Sequence, residues 1–213
     1  MPIVTGEVIN AGVGGDNTLD ILARINESCI KHRPTLTVLK VGTNDMNSRK
    51  YIPLAQYQTH LRKIIELIKN IKSQVVLMNL LPVYEPYLFT RHKPEFYGAE
   101  GHGGRLRGMN ECIKQVAEEY HLTFLDLYHI FSNAGNVGLD KSSWIRNEAN
   151  SNATDGVHPT PEGYRAIGVA VYQHVVYHGL NTERVVCLGD SITHGDGTPD
   201  GDNYPAWLGK LLN

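Results

Sequence analysis

The sequence predicts an α/β fold: a five-stranded parallel sheet with helices on both faces. Three observations carry this. Short apolar runs alternate with amphipathic helical patterns from one end of the chain to the other. The run Thr35–Val41 shows little polar alternation, the pattern of a parallel strand covered on both sides. Two long connections leave the carboxyl ends of strands, the edge at which open parallel sheets bind ligands.

Glu7–Asn10 reads as the first strand, and a helix follows over about Thr18–Lys31. Thr35–Val41 is the second strand. In Leu54–Ile71 the apolar positions Leu54, Tyr57, Leu61, Ile64, Ile65, Ile68 and Ile71 fall at i+3/i+4 spacing, the stripe of one buried helix face. Gln74–Leu81 is a third strand, and Pro82–Gly104, rich in Tyr, Phe, His, Pro and Gly, reads as a long loop. Arg105–Tyr120 repeats the helical stripe with Leu106, Met109, Ile113, Val116, Ala117 and Tyr120. Leu122–Leu127 is a fourth strand, and Tyr128–Asp155, with Trp144 and Arg146, is a second long loop. Thr160-Pro161-Glu162 supplies an N-cap, a proline at the first helical position and an acid in the first turn, opening a helix to about Tyr177. Arg184–Leu188 is the fifth strand and Tyr204–Leu212 the closing helix.

With 213 residues against about 150 per domain, the chain reads as a single domain, 1–213. Its 20 basic and 22 acidic residues leave a charge of −2, which argues against nucleic acid and against a polybasic membrane-surface binder. No apolar run approaches the roughly 18 residues of a membrane span, and residues 1–20 carry neither a basic region nor an apolar core of a signal peptide. A cytoplasmic location is the expectation. Cys29, Cys112 and Cys187 are isolated and odd in number, which excludes a disulfide framework and a Cys-rich zinc module. No H-E-x-x-H motif is present, so neither metal nor cofactor is expected.

Four short blocks carry candidate chemistry. Gly189-Asp190-Ser191-Ile192-Thr193-His194-Gly195 places a serine just past a buried strand, where backbone N–H groups stabilise charge; it is not a G-x-S-x-G elbow, because position 193 is Thr. Asp155-Gly156-Val157-His158 supplies an imidazole and, across a turn, a carboxylate that fixes its tautomer. His194 is adjacent to Ser191, and sequence neighbours rarely turn their side chains towards each other. Gly12-Val13-Gly14-Gly15-Asp16-Asn17 and Gly42-Thr43-Asn44-Asp45 each follow a strand; a glycine admits close approach of a backbone N–H, and an Asn side chain adds an amide donor. Each block alone reads as a plain turn. Together they hold a nucleophile, a base with its orienter and two kinds of oxyanion donor, all on the carboxyl side of the sheet, the set a serine esterase needs.

The four blocks resemble those of the SGNH hydrolases, also called GDSL esterases/lipases, whose hallmarks are a G-D-S block, a glycine block after a strand, a G-x-N-D block and a D-x-x-H block. The resemblance implies a flavodoxin-like three-layer sandwich, Ser191 as nucleophile, His158 as base and Asp155 as its orienter. It implies an oxyanion hole of the Ser191 and Gly15 amides with the Asn44 side chain; Gly15 is taken over Gly14 because the family's glycine precedes an Asp, Asn or Gln, here Asp16. In the family the G-D-S block comes first, whereas here it comes last. The sequence therefore reads as circularly permuted: 181–213 matches the family's opening strand, G-D-S turn and first helix, and 1–6 the link into its second strand. The implied strand order, in this chain's numbering, is 1-5-2-3-4.

The expected substrate is a small-molecule or carbohydrate ester with a short acyl group, acetyl foremost. The tyrosines and Trp144 of the long loops are placed to stack on sugar rings, and no long apolar lid is evident. Lysophospholipid, thioester and aryl ester substrates are the alternatives within the family. A nucleotide-binding flavodoxin- or Rossmann-like domain is disfavoured: Gly12-x-Gly14-x-x-Asn17 is a degenerate fingerprint, and the second strand ends Lys40-Val41-Gly42 without the acid that a ribose needs. A non-catalytic carbohydrate binder is disfavoured by the four intact blocks.

Overall fold

Five parallel strands run in the order β1-β5-β2-β3-β4, the order expected from the sequence. They are β1 (Glu7–Gly12), β2 (Leu36–Lys40), β3 (Gln74–Met78), β4 (Thr123–Leu125) and β5 (Arg184–Gly189). The structure is a computed structural model that describes residues 6–213; residues 1–5 of the expected link 1–6 lie outside the described residues. The helices are α1 (Thr18–Ser28), α2 (Leu54–Asn70), α3 (Glu85–Arg91), α4 (Gly101–Glu119), α5 (Leu127–Ala134), α6 (Glu148–Ser151), α7 (Pro161–Tyr177), α8 (Ser191–His194) and α9 (Tyr204–Leu212).

Alternate residues along each strand feed opposite faces of the sheet. Leu39, Val75, Leu77, Val186 and Leu188 pack under α1, α2 and α4, with Ile21, Ile25, Leu61, Ile64, Ile68 and Ile113. Val38, Val76, Met78, Val185 and Cys187 pack under α5, α7 and α9, with Phe131, Tyr164, Ile167, Val171 and Leu208. Every residue of β2 is buried, as its unbroken apolar run requires. No helix among the described residues is long and apolar enough to cross a membrane.

Several boundaries differ from the sequence reading. The third strand ends at Met78 instead of Leu81, because the Asn110 side chain takes both backbone groups of Leu80, at 2.8 and 3.2 Å. The fourth strand is Thr123–Leu125, since Asp126 already caps α5 by accepting from the His129 N–H. The loop expected over Pro82–Gly104 holds α3, a 3-10 turn at Pro94–Tyr97 and the first turn of α4. Pro86, Gly101, Gly103 and Gly104 have poor helix propensity and masked these helices; packing overrides that propensity here. The loop expected over Tyr128–Asp155 likewise carries most of α5 and the short α6, capped by Asn147. Leu54, expected on the buried face of α2, is exposed at the helix start.

The three strands that feed the site are neighbours, and their carboxyl ends are in register. Gly12 pairs with Gly189, and Gly189 with Lys40. The three loops that follow therefore leave the sheet side by side.

Candidate active site

Ser191 opens α8 directly after β5. Asp190 caps that helix, its Oδ1 accepting from the Ile192 N–H at 3.0 Å. Ser191 is nearly buried. Its Oγ lies 3.1 Å from Nε2 of His158. On the other side of the ring, Nδ1 lies 2.9 Å from Oδ2 and 3.1 Å from Oδ1 of Asp155. An ionised carboxylate only accepts, so Nδ1 carries the proton and Nε2 presents its lone pair to the serine hydroxyl. Asp155 Oδ1 also accepts from the backbone N–H groups of Val157 and His158, at 2.9 and 2.8 Å. Burial pushes the Asp155 carboxyl up, but the His158 side chain and these backbone donors outweigh it and hold it well below the usual carboxylate range. Arg146 adds a contact at 3.2 Å to Oδ2. A hydroxyl, an imidazole and an ionised carboxylate in this sequence are the arrangement that activates an oxygen nucleophile.

Gly15, Asn44 and Ser191 line one cavity of about 190 Å³. Gly15 has φ +82, open to glycine and strained for other residues, with free space where a side chain would stand. Among the described residues neither its N–H nor that of Ser191 has a hydrogen-bond acceptor. Gly14 is not part of this wall. One amide hydrogen of Asn44 donates to the Asp16 carbonyl at 2.9 Å, which orients the side chain and leaves the other hydrogen free. The three sequence blocks thus bring three hydrogen-bond donors to one cavity.

Other groups brace these loops. Asp45 accepts from the N–H and hydroxyl of Thr18, tying the Asn44 turn to the start of α1; burial, with Asp190 nearby, pushes its carboxyl up to about 6 despite these bonds. Arg24 reaches Asp16 at 2.6 Å, the Ala11 carbonyl at 2.9 Å and the Gly189 carbonyl at 3.0 Å, fastening the β1 and β5 ends together. Lys40 and Asp190 lie fully buried 3.8 Å apart beneath the serine turn. Sequence reasoning found none of these roles; a lysine inside an apolar strand was the one visible signal.

The rest of the cavity wall comes from Val83, Leu88, Arg91, His92, Tyr97 and His102 of the first long connection, Thr43 and Asn47 of the turn after β2, Val157 beside His158, and Asp196 after α8. Trp144 takes no part in that wall. It packs edge-on against Phe131, ring centroids 5.4 Å apart, so it belongs to the core and not to a sugar platform. His194 turns away from Ser191 and bonds Asp196 at 2.7 Å. Asn17 caps α1, accepting from the Asp20 N–H, so the fingerprint-like glycine segment ends in a helix start already satisfied by its own side chain. Among the described residues no three His, Cys, Asp or Glu side chains gather as a metal site.

The family model of the GDSL-like Lipase/Acylhydrolase family matches residues 4–166. The chain belongs to that family. Among its relatives, an arylesterase of Vibrio mimicus is 26% identical over 173 residues, covering 80% of this chain and 70% of its own. An acetylxylan esterase of Geobacillus stearothermophilus is 22% identical over 183 residues, covering 82% and 74%. Two solved structures share the fold. A putative acylhydrolase from Bacteroides fragilis has a TM-score of 0.62 at 24% identity, over 78% of this chain and 73% of the other. The acetyl xylan esterase AlAXEase has a TM-score of 0.58 at 19% identity, over 77% and 78%. As a member of this GDSL family the chain is a carboxylic ester hydrolase.

Proposed function

We propose that the chain is a serine esterase that cleaves short-acyl esters, acetylated carbohydrates foremost, through an acyl-enzyme on Ser191. The observation that carries this is the continuous path from Ser191 Oγ through His158 to Asp155, at 3.1 and 2.9 Å, opening into the cavity with the three free donors. His158 Nε2 takes the hydroxyl proton as Oγ bonds to the ester carbonyl carbon. The carbonyl oxygen becomes an oxyanion held by the N–H groups of Ser191 and Gly15 and the Asn44 amide. The C–O bond to the alcohol breaks, and the alcohol leaves with the proton from His158. Water, deprotonated by His158, then attacks the acyl carbon, and the carboxylic acid and free Ser191 result. Asp155 holds the ring tautomer and stabilises the imidazolium.

The short-acyl preference rests on the modest cavity volume. The carbohydrate preference draws on the similarity to the acetylxylan esterases. An alkyl phosphonate should label Ser191, and Ser191→Ala should abolish both labelling and turnover of p-nitrophenyl acetate. Turnover unchanged in Ser191→Ala would refute the reading.

We also propose that residues 1–213 form one domain with a rotated order of elements, 181–213 standing for the family's opening strand, turn and helix. The interior place of β5 between β1 and β2, the family match over residues 4–166, and the bond from Asn213 Nδ2 to the Gly6 carbonyl at 3.0 Å support it.

A further inference from the structure

We infer that Lys40 is a positioning residue for the oxyanion hole, its ammonium tying the Ser191 turn, through Asp190, to the Asn44 turn, through Thr43. The inference rests on the proposed esterase reading, in which donors from both turns meet one oxygen. Lys40 is the last residue of β2, and Asp190 follows β5 directly. Lys40 pairs with Gly189 in the ladder, so the two residues stand next to each other where the sheet ends. Both side chains are fully buried, with Nζ 3.8 Å from Asp190 Oδ2 and 3.5 Å from Thr43 Oγ1.

Past the ladder, the loops that bear the donors need other ties. The Asn44 amide joins its turn to the Gly15 loop at the Asp16 carbonyl, and Arg24 joins the ends of β1 and β5. Among the described residues no hydrogen bond runs from Thr43–Met46 to Ser191–His194. Each of these two turns also carries a buried carboxyl, Asp45 on one and Asp190 on the other, and the Asp190 charge helps to push Asp45 up. Like charges drive the turns apart. A cation held beside Asp190, with the Thr43 hydroxyl as its second partner, opposes that separation.

Stability alone does not account for the pair. Taking two charges out of water costs more than their attraction returns unless hydrogen bonds complete the arrangement. Here Asp190 Oδ1 accepts from the Ile192 N–H, and Oδ2 has no hydrogen-bond partner among the described residues. Of the three ammonium hydrogens of Lys40, one reaches a hydroxyl. Burial pushes the proton affinity of Lys40 down, and Asp190 pushes it back up. An apolar residue would suit a fully buried strand end better. What the pair supplies is spacing. Asp190 immediately precedes Ser191 and Thr43 immediately precedes Asn44, so a shift at either partner of Lys40 moves an oxyanion donor with it.

The test sets p-nitrophenyl acetate kinetics against melting curves. Lys40→Met alone leaves Asp190 buried without its counter-charge and should lower both Tm and kcat. Adding Asp190→Asn removes the stranded charge and keeps a side-chain oxygen to cap Ile192, so Tm should return towards the wild-type value. In that double variant kcat should stay about 10- to 100-fold low, the scale of a misplacement of up to about 1 Å. KM should hold within about twofold, since the displaced donors act on transition-state charge. In an Asn44→Ala background the same pair of substitutions should cost less, because one of the donors it places is already gone. A double variant that regains kcat along with Tm, a loss carried by KM, or a full additive loss in Asn44→Ala overturns the inference. Thr43→Val, which removes the hydroxyl facing Nζ, serves if the Lys40 variants fail to fold. It should lower kcat by about threefold, the worth of a weak hydrogen bond, and wild-type kcat there overturns the inference too. A wild-type protein that neither turns over the ester nor takes a phosphonate label on Ser191 refutes the esterase reading beneath it; an active, labelled wild type with an equally active double variant refutes the role of Lys40 alone.

Discussion

Replacing Asn44 with alanine separates the proposed oxyanion stabilisation from loop architecture, because only one of its two amide hydrogens is engaged among the described residues. The hydrogen bonded to the Asp16 carbonyl at 2.9 Å is structural. Its loss leaves a part-buried carbonyl without that partner and costs about 0.5–1.5 kcal/mol of stability, which in a domain of this size lowers Tm by roughly 1–6 °C. The other hydrogen has no partner among the described residues, and Asn44 lines the cavity together with Ser191 and Gly15. Losing one donor of such a set raises the barrier by about 2.7–4 kcal/mol, a fall in kcat of about 10²–10³. The loss should appear in kcat with KM little changed, since the donor acts on charge that exists only in the transition state. Steady-state hydrolysis of p-nitrophenyl acetate, with a melting curve of the same sample, measures both parts. A fall in kcat under threefold in a folded Asn44→Ala protein would refute the assignment of this amide to the oxyanion. A fall carried entirely by KM would place Asn44 in ground-state binding instead.

Other substitutions test other parts. Asp45 stands at about 6 in the fold against a usual 3.8, so the folded chain binds a proton that the unfolded chain has lost between those values. Its contribution is full below about pH 4 and declines by about 3 kcal/mol as pH rises through 6; Asp45→Asn, which stays neutral, should lose that decline in urea melts from pH 4 to 7, and an identical slope in both proteins would contradict the buried-charge account. Asp155 runs the opposite way, its depressed carboxyl supporting the fold above the ordinary carboxylate range and losing that support as pH falls below it. Leu39→Ala, at a fully buried central-strand position, should lower stability by about 2–5 kcal/mol in the same melts. A variant with residue 213 joined to residue 1 through a short Gly/Ser linker and opened before Asn181 should fold and keep p-nitrophenyl acetate turnover.

The parts of the site legible in the sequence are those that local rules determine. A parallel strand must release its chain at the carboxyl end, so glycine- and Asn-bearing turns after three strands were bound to gather at one edge once β5 lay between β1 and β2. Asp155 and His158 sit three residues apart, and a turn brings them into contact without help from the rest of the fold. The wall opposite was hidden because its residues obey no period. Pro86, Gly101, Gly103 and Gly104 read as breaks, yet α3 and the start of α4 form there because Leu88 and Leu106 find apolar cover. His102 is held in that wall by the Tyr97 ring and by Glu85, seventeen positions earlier in the chain and brought near by the turn at Pro94–Tyr97. Trp144 misled for the converse reason: an aromatic in a long loop reads as a ligand platform, and only its neighbour Phe131 reveals that it closes the core.

This division has a physical cause that bears on how such a site changes specificity. Gly15, Asn44 and Ser191 follow strand ends whose register is locked by the ladder from Gly12 through Gly189 to Lys40, and by Arg24 across the two loops. Moving them would break hydrogen bonds in the centre of the sheet. The pocket wall rests on α3, a 3-10 turn and the glycine-rich start of α4, which touch the sheet through few apolar side chains. Within that wall Arg91 and Tyr84 also bond the Asp155–Gly156 turn, so substitution elsewhere in it is expected to alter the pocket with least effect on the Ser191–His158–Asp155 path. In the proposed esterase, changes of specificity therefore fall in the segment that sequence patterns describe least well.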